Sequence, residues 1–209
     1  MTVELLNMDC MEYMRSLPDN AFDLAIVDPP YGIGISSNPV RQQHEKKEWD
    51  NAIPQKAYFN ELERVSKNQI VWGGNYFLDF LGNTQGFLIW DKKQPHDFSL
   101  AMCEFAWSSV QKPAKMFRYS VLQERGKIHP TQKPVKLYEW LLANYAKEGD
   151  KILDTHLGSG SSAIAAHYFG CDFVGIELDS DYYNAACERF KRETAQIDMF
   201  NYEGGAKNG

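Results

Sequence analysis

Two short stretches carry the residue types that could do chemistry. The first is Asp28-Pro29-Pro30-Tyr31, directly after the apolar run 22–27. An acid, two prolines and an aromatic at the end of a buried strand can grip a planar amino group. Prolines fix φ and offer carbonyls without competing N–H donors. Asp28 adds a charged acceptor and Tyr31 a stacking face. The second stretch is Asp154-Thr155-His156-Leu157-Gly158-Ser159-Gly160-Ser161, a strand end running into a glycine loop and a helix. That arrangement aims backbone N–H groups and a helix N-terminus at a ligand's polar groups. Glu177, at the end of the following strand, stands at the distance of about 20 residues that suits ribose hydroxyls in doubly wound cofactor sites. Together the two stretches suggest a nucleotide-like cofactor facing an exocyclic amine.

A frame must hold these groups, and the pattern around them supplies one. Short β-rich runs alternate with helical stretches, which argues for an α/β sheet with parallel strands. The strands are predicted at 3–6, 22–27, 69–72, 87–90, 151–153 and 173–176, with further strand-like runs at 104–107 and 116–119. Helices are predicted at 55–66, 135–146, 162–169 and 181–194. In the first of them Tyr58, Phe59, Leu62 and Val65 recur at helical spacing and read as core. The expected architecture is a Rossmann-like, doubly wound, mostly parallel sheet. One domain over 1–194 would carry a short target-recognition insertion at about 91–128, followed by a partly flexible tail at 195–209. The polar segment 32–51 directly follows Tyr31, and a loop of that length in a compact domain is usually functional or disordered.

Composition narrows the class. With 44% hydrophobic and 24% charged residues the chain is an ordinary globular protein. No apolar stretch reaches the roughly 20 residues of a membrane span, and the N-terminus lacks the pattern of a signal peptide, so a cytoplasmic protein is expected. The four cysteines show no metal-binding spacing and read as reduced thiols. The net charge of −6 is unevenly spread. From Gln111 to Lys136, Lys112, Lys115, Arg118, Arg125, Lys127, Lys133 and Lys136 face Glu124 alone. A basic segment on an acidic body suits local phosphate contact, although a solvated loop would look the same by charge.

These stretches resemble the S-adenosylmethionine-dependent DNA amino-methyltransferases of the adenine-N6/cytosine-N4 type. Asp28 to Tyr31 matches the catalytic motif, and Asp154 to Ser161 the methionine-side loop. His129-Pro130-Thr131-Gln132-Lys133-Pro134 matches the element that precedes that loop in the β class. In that class the catalytic motif comes before the cofactor loop, and this chain has the same circularly permuted methyltransferase motif order. Likeness extends to residues 5–9, 68–77 and 153–179.

The resemblance implies further roles. Asp9, with Cys10 beside it, would meet the cofactor's adenine, although a turn-capping acid is the competing reading for Asp9. Asp154, Leu157, Gly158, Ser159, Gly160, Ser161 and Glu177 would hold the rest of the cofactor. Thr131, Gln132 and Lys133 would lie near its methionine moiety. Asp28, Pro29, Pro30 and Tyr31 would be catalytic. Asp28 and the Pro29 carbonyl would each accept one N–H of the target amine, so that its lone pair emerges towards the methyl sulfonium. Tyr31 would stack on a base extruded from the duplex, and residues 32–51 would close over it with Gly32 and Gly34 as hinges. An ordinary aspartate is too acidic to be named the general base on pKa grounds. The acid at position 28 points to adenine, because many cytosine-N4 members carry serine there. Cytosine-N4, RNA adenine, a glutamine side chain, or an inactive cofactor- and DNA-binding regulator are the alternatives.

DNA contact is expected from Lys112, Lys115, Arg118, Arg125 and Lys127, with the arginines on guanine edges and the lysines on phosphates. So short a window implies a short target site, or a homodimer that widens coverage. No metal is implied. Gln196-Ile197-Asp198-Met199-Phe200 resembles the pentapeptide that docks replication and repair proteins on the bacterial sliding clamp. The same apolar residues could equally fold back on the domain.

Overall fold

The computed structural model describes residues 1–33, 53–94, 101–120, 128–129 and 131–204, with 196–204 as backbone only. Eight strands form one sheet: β1 Val3–Asn7, β2 Leu24–Val27, β3 Gln69–Trp72, β4 Leu88–Asp91, β5 Cys103–Ser108, β6 Lys115–Arg118, β7 Lys151–Asp154 and β8 Asp172–Glu177. Their order across the sheet is β1-β8-β7-β2-β3-β5-β4-β6. Pairing is parallel except where β5 meets β3 and β4. β5 alone therefore runs against the rest. Five helices are described: α1 Cys10–Arg15, α2 Lys56–Val65, α3 Val135–Tyr145, α4 Ser161–Phe169 and α5 Ser180–Gly204.

The central strands are apolar on both faces because both faces are covered. All four residues of β2 and of β3 are buried, as a parallel sheet between helix layers requires. On one face α2 turns Tyr58, Phe59, Leu62 and Val65 towards Ala25, Val27 and Val71. On the other, Leu137 and Leu141 of α3 and the small Ala163, Ala165 and Ala166 of α4 pack on Leu24, Ile26, Ile70 and Ile152. β7 and β2 are neighbours. From that seam the chain winds outward in opposite directions, through α4 to β8 and through α2 to β3. This reversal opens a crevice at the carboxyl ends of the strands, where open α/β sheets take their ligands.

Three features differ from the sequence reading. α1 falls where no helix is predicted; with six residues and Met14 its one buried residue, it is too short to show periodicity. β5 and β6 fall within the span of the expected insertion, 91–128, and join the main sheet, a placement that the strand-like runs at 104–107 and 116–119 do not specify. α5 runs on to Gly204, so helical backbone includes Gln196 to Phe200 and much of the expected tail. Most of 32–51 and all of 121–127 lie outside the described residues.

Candidate active site

β2 ends at Val27 and β7 at Asp154, and the two pair as Leu24↔Ile152 and Ala25↔Leu153. Carrying that register three residues on sets Asp28 opposite His156. The two stretches singled out in the sequence therefore meet at the seam where the winding reverses.

Asp28 is held from two sides. Its Oδ1 accepts the Tyr31 hydroxyl at 2.6 Å, and its Oδ2 forms a short ion pair with Lys133 Nζ. Lys133 also lies 3.2 Å from Glu104 Oε2 and 3.3 Å from the Tyr31 hydroxyl. Glu104 Oε1 in turn binds Lys92 at 2.5 Å. Two acids and two lysines thus form a neutral, largely buried quartet. Burial opposes charge on Glu104, but Lys133 and Lys92 outweigh it and hold the carboxyl at about 2. Burial likewise disfavours the Lys133 ammonium, and Asp28 with Glu104 overcomes it, raising the pKa. Lys133 is expected beside a methionine moiety; the structure pairs it with the Asp28 carboxylate.

The Tyr31 ring is already stacked. Tyr76 lies on it with centroids 4.9 Å apart and an interplanar angle of 17°. Tyr76 belongs to a 3-10 turn, Gly74–Tyr76, that follows β3. Gly73 makes that approach possible. Its φ is +69°, and a Cβ there would stand 2.2 Å from Tyr31 Cε1. Burial and the nearby Asp28 push the Tyr31 phenol well above its ordinary pKa, so it stays a donor. Pro29 is buried and Pro30 half-buried.

The glycine loop is braced from behind. Gly158 and Gly160 both have positive φ, +52° and +74°. Arg189 of α5, itself buried, donates through Nη1 to Ser159 O at 3.0 Å and Ser161 Oγ at 2.8 Å. The Ser159 and Ser161 hydroxyls also bond each other at 3.1 Å. Arg189 thus ties the loop to α5 through the Ser159 carbonyl and the Ser161 hydroxyl. Asp154 is buried and accepts His156 N at 3.0 Å and Ser162 Oγ at 2.6 Å. Burial lifts its pKa to about 7. Its carboxylate locks the strand end to α4. Leu157 is buried as well.

Gly158 has room for a side-chain atom, since an added Cβ would meet His156 O and the His129 ring only at ordinary contact distance, 3.9 Å and beyond. Acceptors border it. Glu177 takes Gly158 N at 2.9 Å on Oε2 and Asp179 N at 3.0 Å on Oε1, and burial raises its pKa. Asp9, two residues past β1, caps α1 through Oδ1, which accepts Met11 N at 2.7 Å and Glu12 N at 3.1 Å. The capping reading holds, and Oδ2 accepts nothing from a described residue. Burial pushes the Cys10 thiol to about 12. Thr131 bonds His129 Nδ1, and Gln132 Oε1 accepts Ile128 N at 3.1 Å. The His129 ring lies beside Gly158, so the segment 128–133 spans from the glycine loop to Asp28.

The basic residues do not gather at the crevice. Lys112 and Lys115 reach Asn144, at the amino ends of the parallel strands and on the opposite rim of the sheet from Asp28. Arg118, at the carboxyl end of β6, is exposed and pairs with Asp91 at 3.5 Å. Arg125 and Lys127 lie outside the described residues.

Four contributors escape the sequence reading: Glu104, Lys92, Tyr76 and Arg189. An acid inside the strand-like run 104–107 is the sign that could have marked Glu104. Nothing in spacing distinguishes Arg189 from any helix-surface arginine.

A mostly parallel sheet reversing at a glycine loop, with an acid–aromatic pair on the adjoining strand end, defines a doubly wound, Rossmann-like protein. Residues 71–188 match the DNA methylase family, and the chain belongs to it. It is 26% identical to the type II methyltransferase M2.DpnII of Streptococcus pneumoniae over 90% of each chain. It is 24% identical to the type II methyltransferase M.HpaI of Haemophilus parainfluenzae, over 96% of this chain and 78% of that one. Its fold is similar to that of an M1.HpyAVI–SAM complex, with a TM-score of 0.62 and 22% identity over 90% of this chain and 100% of the other. The PvuII cytosine-N4-specific DNA methyltransferase also shares the fold, at a TM-score of 0.66 and 13% identity over 96% and 92%.

Proposed function

We propose that this chain methylates the exocyclic N6 of adenine in DNA, taking the base out of the duplex into the pocket at Asp28. The observation that carries the reading is the β2–β7 pairing, which brings Asp28 beside the glycine loop. S-adenosylmethionine is the methyl donor, and the residues present suit an adenosyl group. Glu177 ends β8 next to the loop, Asp9 Oδ2 accepts nothing from a described residue, and Gly158 has no side chain to crowd a ligand. When bound, the donor supplies an electrophilic methyl carried on a sulfonium.

The protein's part is grip and charge. Asp28 and the Pro29 carbonyl would each accept a hydrogen from the target amine, drawing its nitrogen out of conjugation and turning the lone pair to one face. The Asp28 carboxylate would also stabilise the positive charge that grows on that nitrogen. Tyr31 would stack on the base, which requires Tyr76 to give up the face it covers. Extrusion costs a few kcal/mol, and stacking and edge hydrogen bonds would offset it. Arg118 at the carboxyl rim, and Arg125 and Lys127 from the segment next to it, would contact DNA. Lys112 and Lys115 would serve only DNA wrapped to the far rim. A recognition surface that small supports a short target site, or a dimer.

The test is transfer of labelled methyl from S-adenosylmethionine to DNA, followed by nucleoside mass spectrometry. N6-methyladenine from the wild type and none from Asp28→Ala is the expected result. N4-methylcytosine would replace the adenine reading, and equal activity in the variant would remove Asp28 from the chemistry.

A further inference from the structure

The contacts around Lys133 raise a problem that the pocket has to solve. In this arrangement each oxygen of the Asp28 carboxylate already has a partner, Oδ1 in Tyr31 and Oδ2 in Lys133. An incoming amine needs one of those oxygens. As the methyl is transferred, its nitrogen becomes cationic within hydrogen-bond range of a carboxylate that already holds an ammonium. The Lys133 ammonium on Oδ2 would repel a second positive charge growing beside it on Asp28. Lys133 has no way into solvent, its side chain being only 3% exposed.

Glu104 offers the way out. Its Oε2 is 3.2 Å from the same ammonium, and Lys92 fixes its Oε1 at 2.5 Å, so the acceptor is already in place. The two anchoring residues are set by the sheet: Glu104 on β5 pairs with Trp90 on β4, and Lys92 follows β4 directly. The carboxyl is held at about 2, so it is ionised throughout the working pH range.

We infer that Glu104 is a positioning residue for methyl transfer, the alternative seat to which the Lys133 ammonium withdraws when Asp28 takes the amine of the target base. The inference rests on the proposed role of Asp28. Lys133 moves by a small shift between two acids that it already touches, Asp28 Oδ2 is released, and the four side chains keep their net charge of zero. A glutamine at 104 leaves Lys133 with Asp28 as its one charged partner and so keeps the acid occupied.

Three variants test this: Glu104→Gln, Glu104→Gln/Lys92→Met and Glu104→Asp. Each is assayed for melting temperature, S-adenosylmethionine affinity by calorimetry, and kcat and KM with DNA. The double variant restores charge neutrality, leaving Asp28 and Lys133 as the pair. It is expected to recover the melting temperature lost in Glu104→Gln but to keep a kcat about 10- to 100-fold down, with cofactor affinity unchanged. Glu104→Asp keeps every charge and draws the carboxylate back by about 1.5 Å, one C–C bond. It is expected to melt like the wild type and still lose kcat. A double variant that regains kcat together with stability would overturn the inference, leaving Glu104 as charge balance alone. A fully active Glu104→Asp would overturn it too. Asp28→Ala in the same assay separates the two levels: if that variant keeps its activity, the role of Asp28 fails first, whatever Glu104 does.

Discussion

Adding one methyl group at Gly73 should disable the pocket from outside the reacting atoms. The new Cβ of Gly73→Ala would lie 2.2, 2.6 and 2.7 Å from Tyr31 Cε1, Cδ1 and Cζ. All three distances fall short of an ordinary carbon contact of about 3.5 Å by roughly 1 Å. The φ of +69° adds strain of about 1–2 kcal/mol for any residue with a side chain. The backbone cannot yield easily, because Gly73 N is tied to Phe105 O at 2.8 Å. The Tyr31 ring is therefore the part that moves, and with it the 2.6 Å bond that orients Asp28. Displacement on that scale costs about 100-fold in rate, with a stability loss of roughly 2–3 kcal/mol. Single-turnover methylation at saturating DNA and cofactor, alongside thermal melting, gives both numbers. Gly82→Ala is the control, since a Cβ there meets nothing within 4 Å. A folded Gly73→Ala protein with the wild-type single-turnover rate would refute the claim that Tyr31 must sit where it does.

Three further outcomes are expected. Arg189→Ala removes the buried donor to Ser159 and Ser161. It should cost about 2–3 kcal/mol in urea unfolding and weaken S-adenosylmethionine binding; full affinity would show that the glycine loop stands without its brace. Asp154, raised by burial to about 7, binds a proton more tightly folded than unfolded. Its stabilising effect is present below about pH 4 and is lost as pH rises towards 7. His156, lowered by burial to about 4, acts in the opposite sense, giving up stability as pH falls from 6.5 towards 4. Stability–pH curves of Asp154→Asn and the wild type should therefore diverge between pH 4 and 7, and parallel curves would contradict the burial argument. Finally, a bacterial sliding clamp should retain the wild type on a column but not Met199→Ala/Phe200→Ala; equal retention would discard clamp docking.

Much of the frame was readable in advance because it follows from period and burial. Strands 22–27, 69–72 and 151–153 announce themselves as apolar runs between turn residues, and α2 as a stripe at helical spacing. α1 was hidden for a local reason, although Asp9 followed by Glu12 has the spacing of a capping box and could have marked its start. The site divided along a different line. Asp28, Tyr31 and Gly158 lie within motifs and could be found by type. Glu104, Lys92 and Tyr76 reach the site only because β4 and β5 pair and the chain turns after β3. Charge along the chain does not fix place: the basic cluster is continuous in sequence, but Lys115 and Arg118 stand at opposite ends of β6.

The placing of β1 bears on how the protein is made. Its neighbour is β8, and the bond from Thr2 N to Asp172 joins residues 170 positions apart. β1 is translated well before the strand it pairs with, so it waits as an unpaired edge until β8 has been made. Asp9 reaches its station beside Glu177 only when that late zippering is done. The side of the crevice that carries Asp9 and Glu177 therefore closes only after β8 has been translated.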